Sequence, residues 1–154
     1  SSTQLNASMG DKKWMQVLRK HNQIVRQAVG EHDGYEVKTI GDGFMLVFKS
    51  AREALRCAIA IQRALRERNA TARVPISIRI GLHTGEAVRE ADDFFGYHVN
   101  FAARVAGCAG PGEIIVSSLL REVAAPSGEF TFEERPPVEL KGLQGNHVPY
   151  KVVW

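Results

Sequence analysis

Apolar residues recur at spacings of three and four between residues 11 and 29, as Trp14, Val17, Leu18, Ile24, Val25, Ala28 and Val29, with Lys12, Lys13, Arg19, Lys20 and Arg26 between them. That spacing predicts an amphipathic helix with one face turned to a core. Gly30 and Gly34 interrupt the pattern, after which Tyr35 to Ile40 and Phe44 to Phe48 read as two strands meeting at Gly41-Asp42-Gly43. An antiparallel hairpin is the expectation. Ser50-Ala-Arg-Glu53 has the form of a capping box, a hydroxyl at the N-cap and a carboxylate three residues on. The second helix should follow it, with Leu55, Ala58, Ile59, Ile61, Gln62 and Leu65 continuing toward Asn69. The alternation Ile76, Ile78, Ile80, Leu82 then predicts a half-buried strand whose other face carries Ser77 and Arg79.

Beyond an acidic, aromatic loop from Glu90 to Tyr97, a third helix is expected from about His98 to Cys108, ended by Gly107, Gly110 and Pro111. Glu113 to Ser117 reads as a short strand and Leu119 to Val123 as a short helix. Phe130 to Glu134, Val138 to Lys141 and Pro149 to Trp154 read as closing strands. This order predicts an α+β sandwich, one sheet with helices on a face. No repeat, low-complexity tract or linker divides residues 1–154, so a single domain is expected.

Composition narrows the function classes. The 154 residues are 44% hydrophobic and 24% charged, a globular balance that excludes collagen-like, disordered and disulfide-scaffold chains. Twenty Lys and Arg face 17 Asp and Glu without gathering into one stripe, so a nucleic-acid-binding domain is not expected. The two cysteines, Cys57 and Cys108, fall in helical runs and read as buried, reduced thiols of a cytoplasmic domain. The longest apolar stretch, Phe44 to Phe48, is far short of a membrane span, and the polar helix faces suggest no membrane contact. Beginning at Ser1 without Met or a signal peptide, the chain reads as a piece of something longer, with room upstream for a regulatory or membrane segment.

Several residues are candidates for chemistry. Asp42, between two glycines at a hairpin tip, is open to two readings: a good turn, or a carboxylate aimed at a metal. Asn100 and Arg104, four apart on the predicted helix, share one face and suit an oxyanion or phosphoryl group, although a solvated helix side has the same pattern. Asp93 opens a run with Phe94, Phe95 and Tyr97 that fits a nucleobase pocket or a partner interface. Lys38 in the strand before Asp42 and Lys141 in the Leu-Lys-Gly turn read locally as surface lysines. His21, His32, His83, His98 and His147 show no recognised metal spacing, and P-loop, Rossmann and nucleophile-elbow patterns are missing.

Taken in order, Glu36-Val-Lys-Thr-Ile-Gly-Asp-Gly-Phe-Met45, Ile78-Arg-Ile-Gly-Leu-His-Thr-Gly85, Asp93-Phe-Phe-Gly-Tyr-His-Val-Asn-Phe-Ala-Ala-Arg104 and Leu140-Lys-Gly142 resemble the class III adenylate and guanylate cyclase catalytic domain over nearly the whole chain. The resemblance implies a ferredoxin-like βαββαβ sandwich and an enzyme that forms a cyclic nucleotide and pyrophosphate. It implies that Asp42 is the second of two metal-binding aspartates, holding Mg2+ or Mn2+, two ions per site. By the same matching, Lys38 and Asp93 read the adenine edge, Asn100 orients the ribose, Arg104 stabilises the transferring phosphate and Lys141 contacts the terminal phosphates. Guanylate cyclases typically carry glutamate and cysteine in place of the purine-pocket lysine and aspartate, so the implied substrate is ATP.

In the family the first metal-binding aspartate lies on an opening strand, in a Phe-Thr-Asp-Ile type motif ending in a Ser-Thr pair. This chain begins Ser1-Ser-Thr3, which resembles the tail of that motif. The expectation is therefore a domain lacking its first strand and one carboxylate, binding metal poorly and turning over weakly by itself. The family works as a head-to-tail dimer, and a chain carrying both Asp42 and Lys38, Asp93, Asn100 and Arg104 resembles a homodimer with two equivalent sites. A catalytically silent dimerisation or regulatory module is the alternative reading.

Overall fold

The computed structural model describes residues 10–40, 43–85, 88–90 and 93–154, and at 38–40, 43, 88–90 and 93–95 the description is of the backbone. Ser1 to Thr3 and Asp42 lie outside the described residues, and with them the expectations about the opening strand and the hairpin tip.

The first helix, α1, runs from Asp11 to Glu31 and buries Val25, Ala28 and Val29 near its C-terminal end. Strands β1 (Tyr35–Ile40) and β2 (Gly43–Val47) form the expected antiparallel hairpin, with a register shift between Glu36 and Lys38. Helix α2 (Ala51–Asn69) starts at the expected cap, where Ser50 Oγ accepts from the Glu53 amide at 3.1 Å. The reciprocal half of the box is not formed, because the Glu53 carboxylate accepts from Arg56 at 3.0 Å instead. Arg52 and Arg56 also both donate to Glu129, at 2.9 and 2.6 Å, tying α2 to the segment before the seventh strand.

The predicted strand over residues 76–82 is cut to β3, Ile80–Leu82. Side chains of α2 have taken the backbone groups upstream of it. Asn69 accepts from the Ile76 amide at 2.9 Å and donates to its carbonyl at 2.8 Å. Buried Gln62 donates to the carbonyls of Ile78 and Glu113 at 3.2 and 3.3 Å. The Gln62 amide adds to backbone bonds already made there, Gly112 donating to the Ile78 carbonyl at 2.8 Å and Ile80 to the Glu113 carbonyl at 3.1 Å. The segment read as an acidic, aromatic loop is instead a second hairpin, β4 (Val88–Glu90) with β5 (Asp93–Phe95), pairing Val88 with Phe95 and Glu90 with Asp93. Aromatic and β-branched residues favour that extended pairing.

Helix α3 (Tyr97–Ala106), strand β6 (Ile114–Val116), helix α4 (Ser118–Ala124) and strand β7 (Thr131–Glu134) follow, then the short pair β8 (Val138–Glu139) and β9 (Asn146–His147), and finally β10 (Tyr150–Val153). The main sheet has the order β3-β6-β10-β7, with β3 and β6 parallel and β10 antiparallel to both of its neighbours.

The α+β class holds, but the helices cover both faces of this sheet, where the sequence led us to expect one. Ile114 and Val116 pack with Leu55 and Ala58 of α2, and Val152 of β10 joins them. Ile115 points the other way, into a cluster with Phe101 and Val105 of α3 and Leu140. A third cluster joins α1 to α2 through Val25, Val29, Cys57, Ile61 and Leu65, with Phe44 and Leu46 of β2 and Phe48 just after it packed against it. Cys57 is a free buried thiol and Cys108 a free, partly buried one. Burial, with the charges of Glu31 and Glu53, pushes Cys57 up to about 12, leaving it chemically inert at neutral pH.

At Gly81 of β3 the sheet comes hard against α3. A methyl group placed there would lie 2.3 Å from the backbone of Ala106 in α3. Gly81→Ala therefore forces the helix off the sheet and should cost about 2–3 kcal/mol, as overpacking of a rigid contact does. Urea unfolding of the two proteins measures it, and an unchanged midpoint would show that α3 yields freely.

Candidate functional site

The elements that carry the sequence-predicted residues are neighbours. Lys38 lies on β1, Asp93 on β5, and β1 and β5 pack against each other. β5 runs through Gly96, the N-cap residue at φ +118, into α3, which carries Asn100 and Arg104. Asn100 is exposed on the outer side of that helix and Arg104 is half-buried one turn on. The Nε of Arg104 is fully buried and has no hydrogen-bond partner among the described residues. Withholding a guanidinium donor from the protein costs stability unless some other group takes it.

Lys141 is exposed in a turn that Leu143 closes by donating to the Leu140 carbonyl at 2.9 Å, with Gly142 at φ +79. Leu140 anchors the turn in the same cluster as Phe101 and Val105, so Lys141 is fastened to α3 through its neighbour. Among the described residues no three His, Cys, Asp or Glu side chains gather as a metal site, and Asp42 is not among those residues.

Beside α3 lies a polar cluster that the sequence reading passed over. His83, the residue after β3, brings Nδ1 within 2.6 Å of Ser117 Oγ and Nε2 within 2.9 Å of His98 Nδ1. Its ring stacks on Phe101 at 4.3 Å and 15°. Ser117 is itself fixed as the N-cap of α4, accepting from the Leu120 amide at 3.2 Å. Metal spacing was the wrong filter for these histidines. The usable signal was a histidine at a strand end, two residues before a glycine and within the motif that leads toward α3.

Comparison with known proteins places the chain. It matches the family model of the adenylate and guanylate cyclase catalytic domain over residues 1–153. A putative adenylate cyclase 3 of Rhizobium meliloti (strain 1021) is 30% identical over 132 residues, 83% of this chain and 22% of that protein. An adenylate/guanylate cyclase/hydrolase structure from Silicibacter pomeroyi has a TM-score of 0.84 at 30% identity, covering 96% of this chain and 88% of that one. The catalytic core of a rhodopsin-guanylyl cyclase with converted specificity, in complex with ATPαS, has a TM-score of 0.83 at 26% identity, covering 98% and 88%. The chain belongs to the adenylate and guanylate cyclase catalytic domain family, and its fold is that of the class III cyclases. No helix among the described residues is long and apolar enough to cross a membrane.

Burial, with the His98 ring beside it, holds His83 down at about 4 against an ordinary 6.5. A histidine whose folded value is depressed keeps its full stabilising arrangement above 6.5 and loses it as pH falls through the window toward 4, because the unfolded chain takes up the proton first. Since the ring is only about half-buried, solvent screening trims the loss across that window to about 1–2 kcal/mol. Thermal melts of the unmodified chain and of His83→Phe between pH 7 and pH 4 check the sign. The variant should lose less stability than the unmodified chain over this interval, and a parallel decline would refute it.

Proposed function

We propose that this chain is the catalytic domain of an adenylate cyclase, converting ATP to 3′,5′-cyclic AMP and pyrophosphate as a head-to-tail homodimer. Beyond family membership, the single observation that most supports this is the buried, unpartnered Nε of Arg104 on the helix that also bears Asn100. A planar cation with a spare donor is suited to a phosphoryl group gaining charge. The matched relative is named an adenylate cyclase, and the converted rhodopsin cyclase core was solved with an ATP analogue.

In this reading the ribose 3′ oxygen attacks the α-phosphorus in line. The new O–P bond forms as the bond to pyrophosphate breaks, and the hydroxyl proton passes to solvent. Arg104 donates to the non-bridging oxygens as their charge grows, and Asn100 holds the ribose at the attack angle. Lys38 donates to and Asp93 accepts from the adenine edge, while Lys141 takes the terminal phosphates. A donor and acceptor of the wrong polarity for guanine then rejects GTP. Asp42 offers a hard carboxylate oxygen, which fits Mg2+ or Mn2+. Two such ions, when bound, offset charge on the attacking and leaving oxygens.

The direct test is mass-spectrometric detection of product from ATP and from GTP, with manganese, in a protein that includes the residues preceding Ser1. Cyclic AMP is expected from ATP, and Lys38→Glu with Asp93→Cys should move the preference toward GTP. No cyclic nucleotide from a folded dimer would favour a silent regulatory module. An unchanged ATP to GTP ratio in the double variant would remove these two residues from base reading.

The shared-site arrangement makes a separate prediction. Arg104→Ala alone should lower kcat by about 10²–10³-fold. Mixed with an Asp42→Ala chain, random pairing leaves one intact site in half of the dimers, so activity should return to about a quarter of that of the unmodified enzyme. Failure to complement in a confirmed heterodimer would place both residues in one subunit's site.

A further inference from the structure

The contact at Gly81 sets how closely α3 approaches the sheet, and Phe101 and Val105 seat the helix on Ile115, which leaves its exact rotation about its own axis to be fixed. Each residue of rotation swings a side chain by about 100°, enough to take Asn100 and Arg104 away from a substrate together. The histidine cluster adds a polar restraint on that rotation. His98 and Phe101, three apart on one face of α3, both meet His83, the first by hydrogen bond and the second by stacking. His83 is in turn fixed to the N-cap of α4 through Ser117 Oγ. The seat for His98 is built into the backbone. A methyl group on Gly85, at φ +149, would lie 2.3 Å from its ring.

We propose that His83 and His98 are positioning residues for the catalytic helix: bonded to each other across the β3–α3 junction, they fix the rotation of α3 and so the placement of Asn100 and Arg104. This rests on the reading of the site given above. The pair has a definite protonation requirement. One N–H serves the 2.9 Å bond between the rings, so the bond survives with both rings neutral or with one extra proton, and fails when both rings are cationic and donor faces donor. The groups facing the pair are Ser117 on the α4 side, Tyr97 at 5.3 Å from the His98 ring, and His147 of β9, which meets Phe101 edge-on at 4.9 Å.

The test uses the full protein with its preceding residues. His98→Ala should lower kcat about 10- to 100-fold at unchanged KM, and His98→Asn, whose amide stands where Nδ1 stood, should recover to within about threefold of the original. His83→Phe keeps a ring against Phe101 but makes neither hydrogen bond, and should resemble His98→Ala even where its melt is unchanged. Equal losses in His98→Ala and His98→Asn, a raised KM at constant kcat, or no loss in any variant would overturn the proposal. Nitrogen-15 spectra separate this from a failure of the function reading. If the unmodified protein forms no cyclic nucleotide, displacement of the Arg104 Nε resonance in His98→Ala and its return in His98→Asn still support the positioning pair, and an unmoved resonance refutes it.

Discussion

The structure depends on one separation: the distance between α3 and the strand beneath it, which is too small to admit a side chain on β3. Gly81 is the residue that permits it, and the backbone of Ala106 occupies the space where a Cβ would be. Because β6 lies beside β3, the same closeness brings Phe101 and Val105 onto Ile115 and turns β6 into a strand buried on both faces. Helix α3 thus sits on a rigid floor, and the groups it carries inherit that rigidity. A site assembled from a helix held this tightly loses little freedom when a substrate arrives.

That rigidity gives meaning to the unpaired donor on Arg104. A protein that has fixed its helix has already met most of the ordering cost, and the buried Arg104 Nε, without a partner among the described residues, is held in place on that helix. Glu113 and Glu36 are arranged differently. Glu113 accepts from the Gly110 amide at 2.8 Å and from Arg135 at 2.6 Å, and these two donors hold its carboxyl below the usual range. Arg26 and Glu36 pair across the α1–β1 turn. Those charges are satisfied within the chain and serve to hold segments together.

Much of the fold was legible because it follows from period and punctuation. The three-and-four spacing of residues 11–29 and the Ser50 cap define α1 and α2, and the two apolar runs after Gly34 pair as the expected antiparallel β1 and β2. What escaped was decided by contacts distant in sequence. The alternation from Ile76 to Leu82 looks like one strand, yet Asn69 holds both backbone groups of Ile76 and Arg68 holds the Val74 carbonyl just before it. The double burial of β6 was written in the run Ile114-Ile115-Val116, but three residues cannot announce by themselves that a second helix lies behind them. The candidate site rests on the spacing of Asn100 and Arg104 and on the family motifs. The partnership of His83 with His98 spans fifteen residues and two elements, and no local pattern encodes it.

Helix α1 adds a mechanical property. It is 21 residues long, about 30 Å at the helical rise, yet its buried residues, Val25, Ala28 and Val29, all lie in its last two turns. The half beginning at Asp11 is largely solvent-facing. A stiff rod clamped at one end is a lever, and its clamped end, Val25–Val29, is also where Arg26 pairs with Glu36 of β1. A large excursion at Asp11 therefore arrives at the hairpin as a small, forceful one, so torque applied to the far end of α1 is geared down onto the strand that bears Lys38.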